Sequence, residues 1–346
     1  MQIHRESKTG DAVQLNMIHG THYLASSRDS FADGKTWGPW LWYLNDGSKS
    51  DAARRWQREE KAWPYEWFKN DAYQSRGSIS GKLSLSDGRP ASGAAVFLGD
   101  TNSNISTADQ GKDYYYTAYA DSDGKFKVED VRSGTYGFYA WSNGGKIGDV
   151  TTSFVKNDVV ISEEKETKLK DLKWQVTDKK NRIFQVGDFD RKSNGFALSG
   201  PTPFEHGRIA RTPGNLTYTV GQSQSSDWYF GQSKLGTWSI VFNVSSIPTS
   251  SKGAKLTASL AGFSGGSSAD LLVNDVKVGN ITTNSALLVS SQDTYRGATT
   301  AGEWRLLEFS VEKDTLKVGA NKVDVKVTTS TQWRGWLWDS VVLEWV

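Results

Sequence analysis

A chain of 346 residues exceeds what a single ordinary hydrophobic core serves, so two or three domains are expected. Its 41 Lys and Arg stand against 39 Asp and Glu for a net charge of +2, and the two signs are interspersed, leaving no basic field for a nucleic-acid backbone or an anionic membrane surface. The absence of cysteine excludes disulfides, zinc thiolates and thiol nucleophiles together.

The 15 Trp, 13 Tyr and 34 Gly against only 7 Pro point to strands joined by tight turns, with aromatic rings shared between core and surface. No apolar run approaches the ~18 residues of a membrane span. The start, Met1-Gln2-Ile3-His4-Arg5, does not read as a secretion leader. Acceptor sequons at Asn104, Asn215, Asn243 and Asn280 are compatible with secretion without demonstrating it.

In chain order, residues 1–48 read as short strands and turns. Val13 to Ile18 alternates loosely before the loop Gly20-Thr21-His22-Tyr23, and Lys35 to Gly47 reads as an aromatic strand closed by Asn45-Asp46-Gly47. One helix is expected, with Asp51 as N-cap, Ala52 to Ala62 as its body and Pro64 as its stop. Its Arg54, Arg55, Arg58, Glu59, Glu60 and Lys61 read most simply as a solvated face.

From Arg76 the pattern changes to period two. Ser78 to Leu85, Ala94 to Leu98, Tyr114 to Tyr119, Phe126 to Val128 and Gly134 to Trp141, punctuated by Asp87-Gly88 and Asp121-Ser122-Asp123-Gly124, suit a small β-sandwich with a last strand near Leu169 to Trp174. Asp121 to Gly124 lacks the position-12 Glu and flanking helices of a calcium loop and reads as a hairpin turn. The Lys-rich stretch from Glu163 to Lys180 marks a boundary or an exposed edge. Beyond it, the alternation in Trp238 to Val244, Lys255 to Leu260, Asp270 to Asn274 and Val323 to Val327 extends over the remaining residues and indicates a jelly-roll sandwich.

Several stretches then carry a resemblance, in order and in register: Gly38-Pro39-Trp40-Leu41-Trp42-Tyr43-Leu44-Asn45, Trp63-Pro64-Tyr65, Arg76-Gly77-Ser78-Ile79-Ser80-Gly81, Ile147-Gly148-Asp149 and Gln185-Val186-Gly187-Asp188-Phe189-Asp190-Arg191. Together with Asp227-Trp228-Tyr229 and Gly236-Thr237-Trp238 they resemble polysaccharide lyase family four, the rhamnogalacturonan lyases. The resemblance implies an all-β chain in three parts: residues 1–75 as the end of a large β-sandwich catalytic domain with a bridging helix, 76–178 as a fibronectin type III-like sandwich, and 179–346 as a jelly roll similar to carbohydrate-binding modules.

It further implies a secreted monomer acting on rhamnogalacturonan, a pectic polysaccharide, by β-elimination. The proton at C5 of galacturonate is removed, so the sugar carboxylate must be neutralised and a base held ready. The family assigns these roles to a Lys and a His in the body of the catalytic domain, whose motifs find no match in this sequence. The expectation is therefore a chain lacking that machinery and its leader, with two alternatives: a non-catalytic pectin-binding fragment, or sandwiches that only brace an enzyme.

Among candidate site residues, His19 and His22 are the tempting bases, read alternatively as a metal pair or as structural residues of a cleft wall. Trp37, Trp40, Trp42 and Tyr43 offer ring faces to sugars, with strand alternation sending Trp40 and Trp42 to one side. In the last domain Trp228, Trp333 and Trp336 are exposed-aromatic candidates and Arg334 a partner for a uronate carboxylate, with core packing of Trp336 and Trp338 an equal alternative. No cofactor is required by this chemistry. Structural calcium is the one candidate metal, with Asp188, Asp190, Asp227 and Asp339 as its donors.

Overall fold

The computed structural model describes residues 2–4, 13–15, 36, 38–39, 41–102, 110–111, 113–200, 207–282, 288, 290, 294, 299–300, 303–331 and 334–346, the first two of these stretches as backbone only. Near the start, β1 (Gln2–His4) pairs antiparallel with β2 (Val13–Leu15). The rest of the chain falls largely into two compact units, Phe31–Thr177 and Asp178–Val346.

In the first unit, the strand expected over Lys35 to Gly47 is not present among its described residues. Pro39 has no N–H to give a ladder, and the polar groups from Asn45 to Ser48 are engaged locally. Gly47 N–H donates to Asn45 Oδ1 (3.1 Å), and Ser48 N–H donates to Asp46 Oδ1 (2.8 Å). The face assignment built on strand alternation therefore does not hold for Trp42 and Tyr43.

Helix α1 (Lys49–Ala62) starts three residues before the expected body because Ser48, not Asp51, is its N-cap. Ser48 Oγ accepts from the Asp51 N–H at 3.1 Å, and Asp51 lies in the first turn, where its charge meets the positive end of the helix dipole. Trp63 closes the helix by donating its N–H to the Glu59 carbonyl (3.0 Å), and Pro64 follows. No residue of α1 is buried, so helix propensity, cap and side-chain pairs carry it rather than a core-facing stripe. The short α2 (Asp71–Gln74) is capped by Asn70, and its Tyr73 is buried.

Two four-stranded sheets complete this unit. The first pairs β3 (Arg76–Leu85) antiparallel with β6 (Lys125–Arg132) and parallel with both β9 (Glu166–Lys168) and β10 (Leu172–Trp174). The second runs in the order β5 (Tyr116–Tyr119), β4 (Ala95–Gly99), β7 (Gly134–Trp141), β8 (Phe154–Ile161). Alternation sends Ile79, Leu83, Leu85, Val96, Leu98, Phe126, Val128, Phe138 and Trp174 into one shared core. Full burial of such apolar side chains contributes about 1.5–3 kcal/mol each.

Asp121 to Gly124 is a tight turn, but it joins β5 and β6, which belong to different sheets, so it is a crossover and not a hairpin. Asp121 Oδ1 accepts from the N–H groups of Asp123 (2.9 Å) and Lys125 (2.8 Å). Gly124 sits at φ +79°, and a Cβ there would lie 2.2 Å from the Leu83 carbonyl, which restricts the position to glycine. Asp149 takes both Nη atoms of Arg89 at 2.8 Å, a bidentate clamp on the turn between β3 and β4.

The second unit is a sandwich of two five-stranded sheets. One contains β11 (Arg182–Val186), β20 (Trp336–Trp345), β15 (Gly253–Phe263) and β18 (Arg305–Glu312), with β13 (Gly231–Gln232) also paired to β20. The other runs β12 (Leu216–Thr219), β14 (Gly236–Val244), β19 (Gly319–Thr329), β16 (Ser268–Val273), β17 (Val276–Ile281). All pairings are antiparallel except that of β12 with β14.

Strand β20 is buried at every position and lies between β11 and β15. Trp228, Trp238, Trp336 and Trp338 meet edge to face at its core, with Trp228 and Trp238 rings 4.9 Å apart at 83° and Trp336 and Trp338 6.1 Å apart at 90°. The fold is thus all-β with one substantial helix, as expected.

Candidate functional site

A cleft is cut into the helical segment of the first unit. Leu41, Arg55, Glu59, Lys61, Trp63, Tyr65, Glu66 and Trp67 are among its walls, and its volume is about 730 Å³. The walls exist because α1 ends at the Trp63–Pro64 step, turning the chain back so that Tyr65 and Trp67 face the last turn of the helix.

A set of side-chain contacts fixes this turn. Tyr65 donates its hydroxyl to Glu59 (2.7 Å), Glu59 pairs with Arg55 (2.7 Å), and the Tyr65 N–H donates to the Tyr73 hydroxyl (2.9 Å). Gln74 Nε2 donates to the carbonyls of Tyr65 and Phe68. Arg76 lies over the rings of Trp63 (4.8 Å) and Tyr73 (4.6 Å) and ties the turn to the start of β3.

These fixed groups carry rings that remain open to solvent. Trp67 is 64% exposed, Trp63 43% and the nearby Trp56 62%, which is unusual for side chains that ordinarily bury 150–250 Å². Tyr65 and Trp67 rings lie 5.3 Å apart and 32° from parallel. Arg55 has its charge committed to Glu59 and sits 5.2 Å from the Tyr43 ring. Lys61 is exposed on the cleft wall and available to an anion.

The Tyr65 phenol is pushed up to about 12, first by its hydrogen bond to Glu59 and then by desolvation, so it stays protonated and is a donor, not a base. Asp51 is held below the usual carboxylate range, chiefly by the hydrogen bond it receives from the Tyr43 hydroxyl (2.7 Å). Among its described residues the cleft therefore offers stacking faces and one exposed ammonium beside the carboxylates of Glu59, which is held by Arg55 and Tyr65, and Glu66.

Of the residues expected to touch sugar, Trp42 is 66% exposed and Tyr43 is also exposed, beside the cleft rather than in its walls. Trp37, Trp40, Trp333, His19 and His22 lie outside the described residues. Trp228 and Trp336, expected as exposed platforms, are fully buried, and the core alternative holds for Trp336 and Trp338. These rings pack in the core between the two sheets, Trp228 against Trp238 of the facing sheet and Trp336 against Trp338. Arg334 is partly buried, with Nη1 3.3 Å from Ser264 Oγ.

The four aspartates named for calcium do not gather. Asp188 and Asp227 are exposed, and Asp227 Oδ2 accepts from the Gln224 N–H (2.8 Å) to cap a single helical turn. Asp190 and Asp339 do meet, but their oxygens are engaged by donors. Asp339 Oδ1 accepts from the N–H groups of Asp190 (2.9 Å) and Lys192 (3.3 Å), and its Oδ2 from the Ser259 hydroxyl and the Trp304 indole. Asp190 accepts from Lys192 N–H (2.8 Å) and Asn194 Nδ2 (3.0 Å).

Calcium asks for six to eight oxygen ligands, and among the described residues no group of three or more His, Cys, Asp or Glu side chains assembles. The four aspartate side chains do not by themselves form such a set. Burial instead raises the Asp339 carboxyl to about 7 and also raises Asp190, while Arg191, pulled down to about 9 by its own burial, stays cationic nearby with its guanidinium 4.1 Å from the Trp304 ring.

Sequence reasoning took the helix face as merely solvated and missed Trp56, Trp63 and Trp67 as exposed rings. The available signal was three tryptophans within twelve residues of a helix whose apolar positions form no continuous stripe.

Comparison with known families gives two matches in chain order. Residues 86–169 match the family described as "Polysaccharide lyase family 4, domain II", and residues 182–343 match "Polysaccharide lyase family 4, domain III". The chain belongs to polysaccharide lyase family 4. The domain II match spans β4–β9 of the smaller sandwich, and the domain III match spans the jelly roll from β11 into β20.

A rhamnogalacturonate lyase of Dickeya dadantii is 27% identical over 329 residues, covering 92% of this chain and 54% of the relative. A protein of Neosartorya fischeri named "Probable rhamnogalacturonate lyase A" is 24% identical over 354 residues, covering 95% of this chain and 62% of that protein. An Aspergillus niger "Probable rhamnogalacturonate lyase B" is 24% identical over 225 residues, covering 59% of this chain and 29% of its own. The chain of this family member thus spans about half the length of the Dickeya relative it matches.

Proposed function

We propose that this family 4 chain is the glycan-gripping part of a rhamnogalacturonan lyase that works outside the cell as a monomer, with its domains meeting near residues 75/76 and 178/179. The cleft at the end of α1 carries the reading, because fixed, exposed tryptophans beside an available ammonium suit a polymer that alternates neutral and acidic sugars. Trp63 and Trp67 stack on the C–H faces of pyranose rings, where apolar contact is worth about 25 cal/mol per Å² covered. Lys61 meets a galacturonate carboxylate.

Backbone cleavage by β-elimination needs a base at C5 and a cation on the carboxylate before the leaving oxygen departs. Lys61 supplies a cation, while the Glu59 carboxylate is already engaged by Arg55 and the Tyr65 hydroxyl. The side chains of the four histidines, His4, His19, His22 and His206, lie outside the described residues. The cleft residues accordingly bind and orient the polymer, and proton abstraction is assigned to none of them.

The test is affinity electrophoresis in gels containing rhamnogalacturonan. The chain is expected to be retarded, and Trp67→Ala with Lys61→Ala to restore most of the free mobility; both side chains are exposed, so the fold should be unaffected. Unchanged mobility of the unsubstituted chain would reject the reading. A rise in ultraviolet absorbance from unsaturated product would show that the chain also cleaves.

A further inference from the structure

Domain II has an outward sheet face that no part of the function above uses. Along β4, Val96 and Leu98 point into the core, which leaves Ala95 and Phe97 on the opposite side of the sheet. Their register partners share that side. Ala95 pairs with Tyr119 of β5 and with Trp141 of β7, and Phe97 pairs with Thr117 and Tyr139. Tyr139 in turn pairs with Val155 of β8.

This face is built of rings. Phe97 contacts Tyr115 (5.8 Å, 25°), Tyr139 (6.1 Å) and Trp141 (5.9 Å) and holds them in place from the middle of the sheet. The Tyr139 hydroxyl donates to the Asp100 carbonyl at 2.6 Å, which fixes the floor. Tyr119 stays 63% exposed, and Tyr115 and Val155 are exposed too, although rings on a sandwich surface cost solvation that polar residues avoid.

The arrangement has a shape. Tyr119 and Trp141 stand on either side of the small Ala95, two strands apart, which sets their backbones about 9–10 Å from each other. Two walls at that spacing leave room for one flat ring in van der Waals contact at about 3.5–4.0 Å on each side. Trp141 is backed by Phe97, so one wall is fixed before any ligand arrives.

It also has an electrostatic character. Ala95, Phe97, Thr117, Tyr119, Trp141 and Val155 carry no charge, so the face offers a polyuronate no cation to pair with. Hydroxyls of Thr117 and Tyr119 remain to meet sugar hydroxyls.

We propose that the Tyr119–Ala95–Trp141 trough on domain II is a second glycan-binding site, selective for an uncharged sugar chain and separate from the Lys61 cleft that takes the acidic backbone. Its logic is stacking without ion pairing, so its affinity is indifferent to salt, unlike that of the cleft.

Affinity electrophoresis of the full chain in gels of linear galactan, arabinan or mannan, with polygalacturonate as the acidic control, tests it. Retardation is expected in at least one neutral gel, unchanged by Lys61→Ala and weakened roughly tenfold by Tyr119→Ala, the loss of one stacking wall. Tyr119→Phe should keep most of the binding. Trp141→Ala should act like Tyr119→Ala, and because Tyr119 is the more exposed ring, its variant decides the matter if Trp141→Ala misfolds. Free mobility in all three neutral gels, or retardation that Tyr119→Ala leaves intact, overturns the proposal, as does retardation in polygalacturonate that Tyr119→Ala abolishes.

Discussion

Asp339 shows how one residue reports on its surroundings. Its carboxyl is fully buried on β20, and desolvation raises it to about 7, whereas in an unfolded chain it ionises near ~4. The unfolded state therefore releases this proton first as pH rises. The stability contributed by Asp339 is complete below about pH 4, falls between about 4 and about 7, and is constant above. Asp339→Asn cannot ionise, so the melting temperature of the natural chain minus that of the variant should fall by several degrees from pH 4 to 7, on a scale of ~2–4 °C per kcal/mol. A difference that stays level across this range would mean the carboxyl is not held neutral. At this scale the sequence was legible only in part. Trp238 in an alternating strand reads as core, but Trp228 and Trp336 sit beside Asp227 and Arg334, and that polar company makes a buried ring look like a surface one.

Strands and helix differ in what sustains them, and the difference decides what a sequence reveals. In β14 the buried positions Trp238, Ile240, Phe242 and Val244 alternate with less buried ones, so period two is written into the residues. In β20 both faces are covered, and Asp339, Ser340 and Glu344 are buried beside Val341 to Leu343, a mixture that no half-exposed pattern describes. Glu344 is stabilised there by Arg182 and Lys255, each 3.5 Å away, partners that only the folded sheet supplies. Helix α1 was visible from its helix formers and Pro64, while its true start depended on a serine accepting one hydrogen bond. Because α1 buries none of its residues, its cap matters more than it would on a packed helix. Ser48→Ala should cost it about 1 kcal/mol, read as roughly fivefold faster amide exchange confined to the first turns. Exchange unchanged there would show that other contacts hold the helix.

For the whole molecule, two sandwiches with separate cores were foreseeable from alternation and turn spacing, and family membership from motifs whose roles the structure now supplies. Asp149 clamps Arg89, and Gly124 accommodates the Leu83 carbonyl. The cleft was not foreseeable, because it depends on where the chain turns after Trp63 and on which cation remains uncommitted once Arg55 has met Glu59. The functional account depends on that remaining charge. If, as proposed, Lys61 with Trp63 and Trp67 grips an acidic sugar polymer, affinity must contain a part that salt screens and a part that it does not. Titration of a rhamnogalacturonan oligosaccharide, followed by tryptophan fluorescence at ~0.02 M and ~0.5 M salt, measures both. The account predicts binding about two- to fivefold weaker at the higher salt, with most of that difference lost in Lys61→Ala; affinity that ignores salt in the natural chain, or a salt effect that survives Lys61→Ala undiminished, would contradict it.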